Sequence, residues 1–318
     1  MAARRQTLSY LRSLFAHRGI APRHQYGQNF LIDLNIHDLI AKAAEIGPDD
    51  VVLEVGPGAG ALTTLMAETA GAVVAVEIDP AMATLTAEAA SGRPNVRVLN
   101  LDALAGKHTI DPAVIDNLRA GLAVRPGRRL KLVANLPYNV ATPVINNLLL
   151  DDSLRPVLLV VTIQLELAER MAAPPNTDAY GALSVLVQAL ADVEVVRVLA
   201  PTVFWPRPKV RSAVVKIVPS AAKRALIADL PWFVAVVRRT FQQRRKNLRG
   251  VLATWYKHLW TKPEVDAFLE ELGLLGNVRA EAMNVAEFIQ LADALKARFG
   301  IVGVEEEETG TDPDDPVD

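Results

Sequence analysis

The stretch Val133-Ala134-Asn135-Leu136-Pro137-Tyr138 ends an apolar run in an amide, a proline and an aromatic ring. Asn135 carries a side-chain acceptor, and the backbone carbonyl that follows is a second. Pro137 stiffens the turn and holds both acceptors in place. Tyr138 offers a flat face on which a base can stack, worth roughly 1–3 kcal/mol. Together they suit a planar group bearing an exocyclic amine, such as adenine. That amine is a poor nucleophile, because its lone pair is delocalised into the ring. Two acceptors binding its hydrogens favour a pyramidal nitrogen. Proximity and in-line orientation to an electrophilic methyl then supply much of the acceleration without a strong general base. Taken alone, the same four residues also fit a turn in which Asn135 caps a helix and Tyr138 packs.

A second constellation precedes it. Glu54-Val55-Gly56-Pro57-Gly58-Ala59-Gly60 is a glycine-rich turn after an apolar run. Glycine lets the backbone turn tightly and lets a ligand approach closely. The spacing is G-x-G-x-G, and Pro57 removes one N–H donor, which argues against a pyrophosphate site. Glu77 ends the next apolar run, where an acid grips ribose hydroxyls. Asp102, after the third run, can accept from an exocyclic amine. A ribose and an adenine without a phosphate site describe S-adenosyl-L-methionine better than NAD.

These residues need strands that end at one edge. Strands are expected at residues 51–55, 72–78, 96–99, 130–134, 157–163, 193–199 and 213–218, with a helix at 61–70 and Pro80 opening another. Strands alternating with helices predict an α/β fold, a doubly wound parallel sheet covered on both faces. After Pro219 the pattern turns helical, at 231–240, 244–256, 263–272 and 285–299. The expected division is a catalytic domain over 1–220, a small all-helical domain over 221–302 and an acidic disordered tail over 303–318.

Composition narrows the function classes. The 318 residues are 51% hydrophobic, enough for a sizeable core. No apolar run approaches the roughly 20 residues that span a bilayer. The absence of cysteine excludes disulfides and thiolate chemistry, and it fits a cytoplasmic protein. The five scattered histidines show no ligand spacing, so no metal is expected. The net charge of −2 hides an asymmetry: eight acids follow Gly303, leaving 34 bases against 28 acids in the rest. A basic body suits a polyanionic partner, whereas the tail reads as solvated chain. The first 32 residues contain no acid. They resemble an organellar transit peptide, but apolar Leu8, Leu11, Leu14 and Phe15 share one face, and a basic helix over Leu8–Arg18 is the preferred reading.

The motifs, taken in order, resemble the ribosomal RNA adenine dimethyltransferase family. They are Tyr26-Gly27-Gln28-Asn29-Phe30-Leu31, Glu54 to Gly60, Val76-Glu77-Ile78-Asp79, Asp102-Ala103, Asn135 to Asn139, Phe204-Trp205-Pro206-Arg207-Pro208-Lys209-Val210 and Phe241-Gln242-Gln243-Arg244-Arg245-Lys246. The resemblance spans about residues 8–295. It implies a class I S-adenosylmethionine-dependent methyltransferase fold. It implies cofactor contacts at Asn29, Leu31, Gly56, Glu77, Asp102 and Asn135, to which the neighbouring Gln28 and Gly58 are added. It implies target-adenine contacts at Asn135, Leu136 and Tyr138, with Pro137 holding the turn and Phe204 as the opposing ring. It also implies the substrate, two adjacent adenosines in the 3′-terminal hairpin of 16S rRNA within the small ribosomal subunit, each dimethylated at N6. The chain departs from the family's usual residues at His24-Gln25, at Leu165 and at Arg211, where Asp is usual.

Between Asp229 and Glu264 there is no acid, and aromatic residues are interleaved with bases. The bases there, chiefly Arg238, Arg244, Arg245, Lys246 and Arg249, are expected to hold RNA. The tryptophans, at helical spacing, are expected in the core. A monomer and no membrane partner complete the expectation. The alternatives are a large-subunit rRNA adenine methyltransferase, and a non-enzymatic RNA-binding assembly or transcription factor on the same fold. Intact cofactor and Asn135–Tyr138 turns weigh against the second.

Overall fold

The computed structural model describes residues 6–23, 26–243 and 246–300. In chain order the elements are α1 (Leu8–Arg18), β1 (Phe30–Leu31), α2 (Leu34–Ala44), β2 (Asp50–Val55), α3 (Ala61–Met66), β3 (Ala72–Glu77), α4 (Pro80–Ala89), β4 (Val96–Asn100), β5 (Leu104–Gly106), β6 (Thr109–Ile110), α5 (Pro112–Ala123), β7 (Arg129–Asn135), α6 (Ala141–Leu150), β8 (Leu158–Gln164), α7 (Leu165–Ala172), α8 (Ala182–Gln188), β9 (Ala191–Leu199), β10 (Phe204–Trp205), β11 (Ser212–Pro219), α9 (Ala221–Ala225), α10 (Leu230–Gln242), α11 (Leu248–Trp255), α12 (Lys262–Glu271) and α13 (Val285–Phe299). They form two compact units. One holds the residues up to Ala168 with Val193–Pro219, the other Glu169–Asp192 with the residues from Ser220.

The first unit is built on a seven-stranded sheet in the order β4-β3-β2-β7-β8-β11-β9. The five strands from β4 to β8 are parallel. Strand β11 runs antiparallel to β8, with Ser212 opposite Gln164. The expected all-parallel sheet therefore stops at β8. Strands β2 and β7 are almost wholly buried, as strands covered on both faces must be. Helix α1 starts where Thr7 accepts from Tyr10 and stops at Gly19 with φ 62°. Its Leu11 and Phe15 pack on Phe30, Ala59, Met82 and Leu85, so this basic helix covers the glycine turn. Gln6 reinforces the cover by donating to the Ala59 carbonyl at 2.7 Å. Helix α3 ends at Met66, short of the expected 70, because the chain must turn into Gly71, whose N–H bonds Asp50.

The second unit is helical. Phe241 stacks on Phe288 with centroids 5.6 Å apart, and Tyr180 donates to the Met283 carbonyl at 2.8 Å. Tyr180 and α8 precede the expected boundary at 220. The segment Glu169–Asp192 belongs to this unit, in which α8 packs against α10 and α13. Trp232, Trp255 and Trp260 are buried, as their spacing predicts. Helix α11 starts at Leu248 rather than 244, capped by Asn247, which accepts from Gly250 at 2.9 Å. The acidic tail, His24-Gln25 and Arg244-Arg245 lie outside the described residues.

Candidate active site

The C-terminal ends of β2, β3, β4 and β7 open on one cavity of about 230 Å³. Ligands bind at this end of doubly wound sheets because the connecting loops diverge there. Gly56 and Gly58 have φ of 74° and 60°. A Cβ at Gly56 would stand 2.9 Å from the Pro137 ring, and one at Gly58 2.9 Å from the Phe30 ring. The turn is thus wedged between two rings, and only glycine fits it.

Glu77 is 5% exposed at the end of β3 and lines the cavity. Its two oxygens accept from the N–H groups of Gly58 at 3.1 Å and Asp79 at 3.0 Å. Burial, helped by the Asp79 charge, pushes its carboxyl above its ordinary value, while the backbone N–H groups of Asp79, Gly58 and Ile78 oppose that shift. Each oxygen keeps a lone pair for a ribose hydroxyl. Asp102 is exposed at the rim, and one of its oxygens accepts from Leu104 N–H at 3.0 Å, leaving the other for an amine. Among the described residues no lysine or arginine lines the cavity. A ligand with a diol, an adenine and no phosphate fits this lining, and S-adenosylmethionine is such a ligand.

Asn135 ends β7 and lines the same cavity. Its amide nitrogen donates to the Asn29 carbonyl at 2.9 Å, which leaves Oδ1 as the free acceptor. Leu136 N–H bonds the Thr162 carbonyl at 3.1 Å, which fixes the peptide plane at this step. Tyr138 Oη and Ser212 Oγ are hydrogen-bonded at 2.7 Å. Burial raises the Tyr138 phenol above its ordinary value, so it stays neutral. Gln28 also lines the cavity, but its amide is committed. It donates to Asp79 at 3.0 Å and accepts from Arg23 N–H at 2.8 Å, tying Arg23 and Gln28 to the end of β3.

Two expected site residues lie elsewhere. Leu31 and Phe204 face each other across the β1–β10 ladder and are 5% and 3% exposed. Strand alternation turns both toward the apolar cluster with Val133 and Val160, so neither side chain lines the cavity. The alternate pair, Phe30 and Trp205, faces the other way, and of these Phe30 reaches the cavity. Sequence reasoning passed over Ile78, which lines the cavity and is 43% exposed. An apolar residue directly after the acid ending a buried strand is a readable sign of a ligand surface. Ser212 was also passed over, since nothing in its own segment points to Tyr138.

In the helical unit, Lys246 is exposed and Arg238 half-buried. Arg249 is salt-bridged to Asp266, so this expected RNA contact is already engaged within the protein. Arg239 stacks over the Trp255 ring at 4.9 Å.

Comparison with known proteins agrees with this geometry. The family described as ribosomal RNA adenine dimethylase matches residues 20–297. A protein of Ligilactobacillus salivarius named ribosomal RNA small subunit methyltransferase A is 39% identical, over 91% of this chain and 95% of its own. A dimethyladenosine transferase structure from Plasmodium falciparum shares the fold, with TM-score 0.69 and 24% identity over 85% of this chain and 98% of its own. The structure of the 23S rRNA methyltransferase ErmE gives TM-score 0.60 and 26% identity over 84% of this chain and all of its own. The chain with the glycine turn, the Glu77 carboxylate and the Asn135–Tyr138 turn around one cavity belongs to the ribosomal RNA adenine dimethylase family.

Proposed function

We propose that this chain dimethylates N6 of two adjacent adenosines in the 3′-terminal hairpin of 16S rRNA within the small ribosomal subunit. It uses S-adenosylmethionine, acts as a cytoplasmic monomer and serves subunit biogenesis. The observation that carries the reading is one cavity shared by Glu77, Asp102 and the Asn135–Tyr138 turn. The name of the L. salivarius relative favours the small subunit over the 23S RNA of the more distant ErmE. Among the described residues no helix is long and apolar enough to cross a membrane.

S-adenosylmethionine, when bound, supplies an electrophilic methyl on a sulfonium. Glu77 would hold its ribose and Asp102 its adenine amine, with Gly56 and Gly58 allowing close backbone approach. The target adenine enters over Tyr138, extruded from its strand as base-modifying enzymes require. Asn135 Oδ1 and the Leu136 carbonyl accept its two N6 hydrogens. That pulls nitrogen density out of the ring and aims a lone pair at the methyl. With the cofactor bound, N6 held by these two acceptors would take the methyl, S-adenosylhomocysteine would leave as the neutral thioether, and the N6 proton would pass to water. No side chain need act as base, because the N-methylated ammonium is strongly acidic once its lone pair can rejoin the ring. Neutral Tyr138 fits that account.

Primer extension tests the whole reading, since two N6 methyls block Watson–Crick pairing. Small subunits lacking the modification are incubated with the protein and S-adenosylmethionine. A new stop at the two hairpin adenosines is expected. No stop there, with cofactor binding intact, would overturn the substrate assignment.

A further inference from the structure

The segment joining β10 to β11 is Pro206-Arg207-Pro208-Lys209-Val210-Arg211. It carries three bases and no acid. Both of its ends are tied to walls of the cavity. Trp205, just before it, pairs with Phe30, a lining residue. Ser212, just after it, is bonded to Tyr138, another lining residue, at 2.7 Å. The loop is therefore held beside the mouth that receives the target base, within one compact unit.

Arg207, Lys209 and Arg211 are all exposed. None of them is ion-paired among the described residues. Several other arginines of this unit are ion-paired: Arg18 with Glu88, Arg125 with Asp49 and Arg129 with Asp50. Glu166 is the acid that the β8–β11 pairing brings toward the loop, through the bond from Leu165 N–H to the Arg211 carbonyl, and it is exposed and unpaired with it. Arg12 adds a fourth cation at the root of the loop, 5.9 Å over the Trp205 ring. Two prolines limit the loop's backbone freedom, so little entropy is lost when its cations are engaged. Three exposed cations with no paired acid give the loop a positive field that a polyanion would neutralise.

We infer that the 206–211 loop grips the RNA backbone beside the target adenosine, with Arg207, Lys209 and Arg211 each facing a phosphate. The inference rests on the rRNA substrate proposed above. It assigns to the catalytic unit a phosphate contact of its own, separate from the bases of the helical unit. These cations would set the register in which one nucleotide meets Tyr138, rather than hold the particle as a whole.

The test compares wild-type protein with two triple variants, Arg207→Gln/Lys209→Gln/Arg211→Gln and Arg207→Glu/Lys209→Glu/Arg211→Glu. Methyl transfer to unmodified small subunits is measured from low to physiological salt, beside S-adenosylmethionine affinity and thermal unfolding. The glutamine variant is expected to raise KM for subunits about tenfold or more and the glutamate variant further. The slope of log KM against log salt should shrink by about 2, at about 0.7 per single-strand phosphate released. Cofactor affinity should not change. An unchanged KM and slope would overturn the phosphate grip while leaving the enzyme's function intact. A raised KM with an unchanged slope would assign the loop to a ribosomal protein instead. Loss of cofactor affinity in both variants would make the loop structural. No transfer by wild-type protein would overturn the substrate reading, and this inference with it.

Discussion

At the scale of the residue, the site depends on which atoms are already spoken for. Asn135 spends its amide nitrogen on the Asn29 carbonyl, so its oxygen is left to the substrate. Asn135→Ala removes the acceptor and the anchor together. Methyl transfer should fall by about 10²–10³-fold, the usual loss for one preorganised polar contact, with the unfolding midpoint little changed. Single-turnover transfer measures it, and a wild-type-like rate would remove Asn135 from the mechanism. Ser212 is bonded to the Tyr138 hydroxyl, and through it would act at one remove, as a positioning residue. Ser212→Ala should lower kcat about tenfold, the cost of about one net hydrogen bond, with KM for S-adenosylmethionine unchanged. Ser212→Thr, which keeps the hydroxyl, should restore kcat. Failure of that rescue would mean that Ser212 matters only for packing.

At the scale of the element, the strands bring acids to one edge, and burial changes what those acids are. Glu54 in β2 is 2% exposed and accepts from Thr63 Oγ1 at 2.5 Å. Burial, helped by the nearby Glu77 charge, pushes its carboxyl from 4.5 up to about 8. Below 4.5 the group is protonated in both folded and unfolded chains. Between 4.5 and about 8 the folded chain keeps a proton that the unfolded chain releases, so stability falls as pH rises through this window. Buried His37 in α2, lowered to about 4 from 6.5, has the opposite slope: its contribution is lost as pH falls below 6.5. The Glu54 effect is therefore read free of His37 between about pH 6.5 and 8. Glu54→Gln keeps the acceptor for Thr63 and has no proton to release. Its urea midpoint should exceed that of wild type increasingly across this window. Parallel curves for the two proteins would show that Glu54 does not titrate there.

At the scale of the whole molecule, the proposed function divides chemistry and RNA grip between two units. The sheet unit holds the cavity, and the helical unit holds an acid-free stretch with eight bases, from Leu230 to Pro263. Charge reversal of Arg244, Arg245 and Lys246 should weaken binding to the small subunit about tenfold or more at low salt. The loss should shrink as salt rises, because phosphate contacts act through counterion release. S-adenosylmethionine affinity should stay at the wild-type value. Pelleting with subunits and calorimetric titration with the cofactor separate the two. Equal loss in both would make the patch structural.

The doubly wound fold was legible because each strand of the parallel sheet contains a short apolar run and the turns carry their own punctuation: Gly56 to Gly60, Asp79-Pro80, Asn135 to Tyr138. Local patterns of this kind encode local geometry, so the acids, amide and glycines of the site could be named from type and spacing. The motif order carried the family. Tertiary packing decided the rest. Whether Leu31 and Phe204 face the ligand or the core depends on a two-residue ladder between segments far apart in sequence. That Arg249 is engaged depends on Asp266 one helix away. That β11 reverses direction, and that Glu169–Asp192 leaves the sheet for the helices, depend on which apolar faces meet. The Ser212–Tyr138 bond joins residues 74 positions apart. Sequence alone determined which groups could do this chemistry. Only the folded chain decided which of them have a free atom left with which to do it, because hydrogen bonds and burial between distant segments are absent until the fold forms.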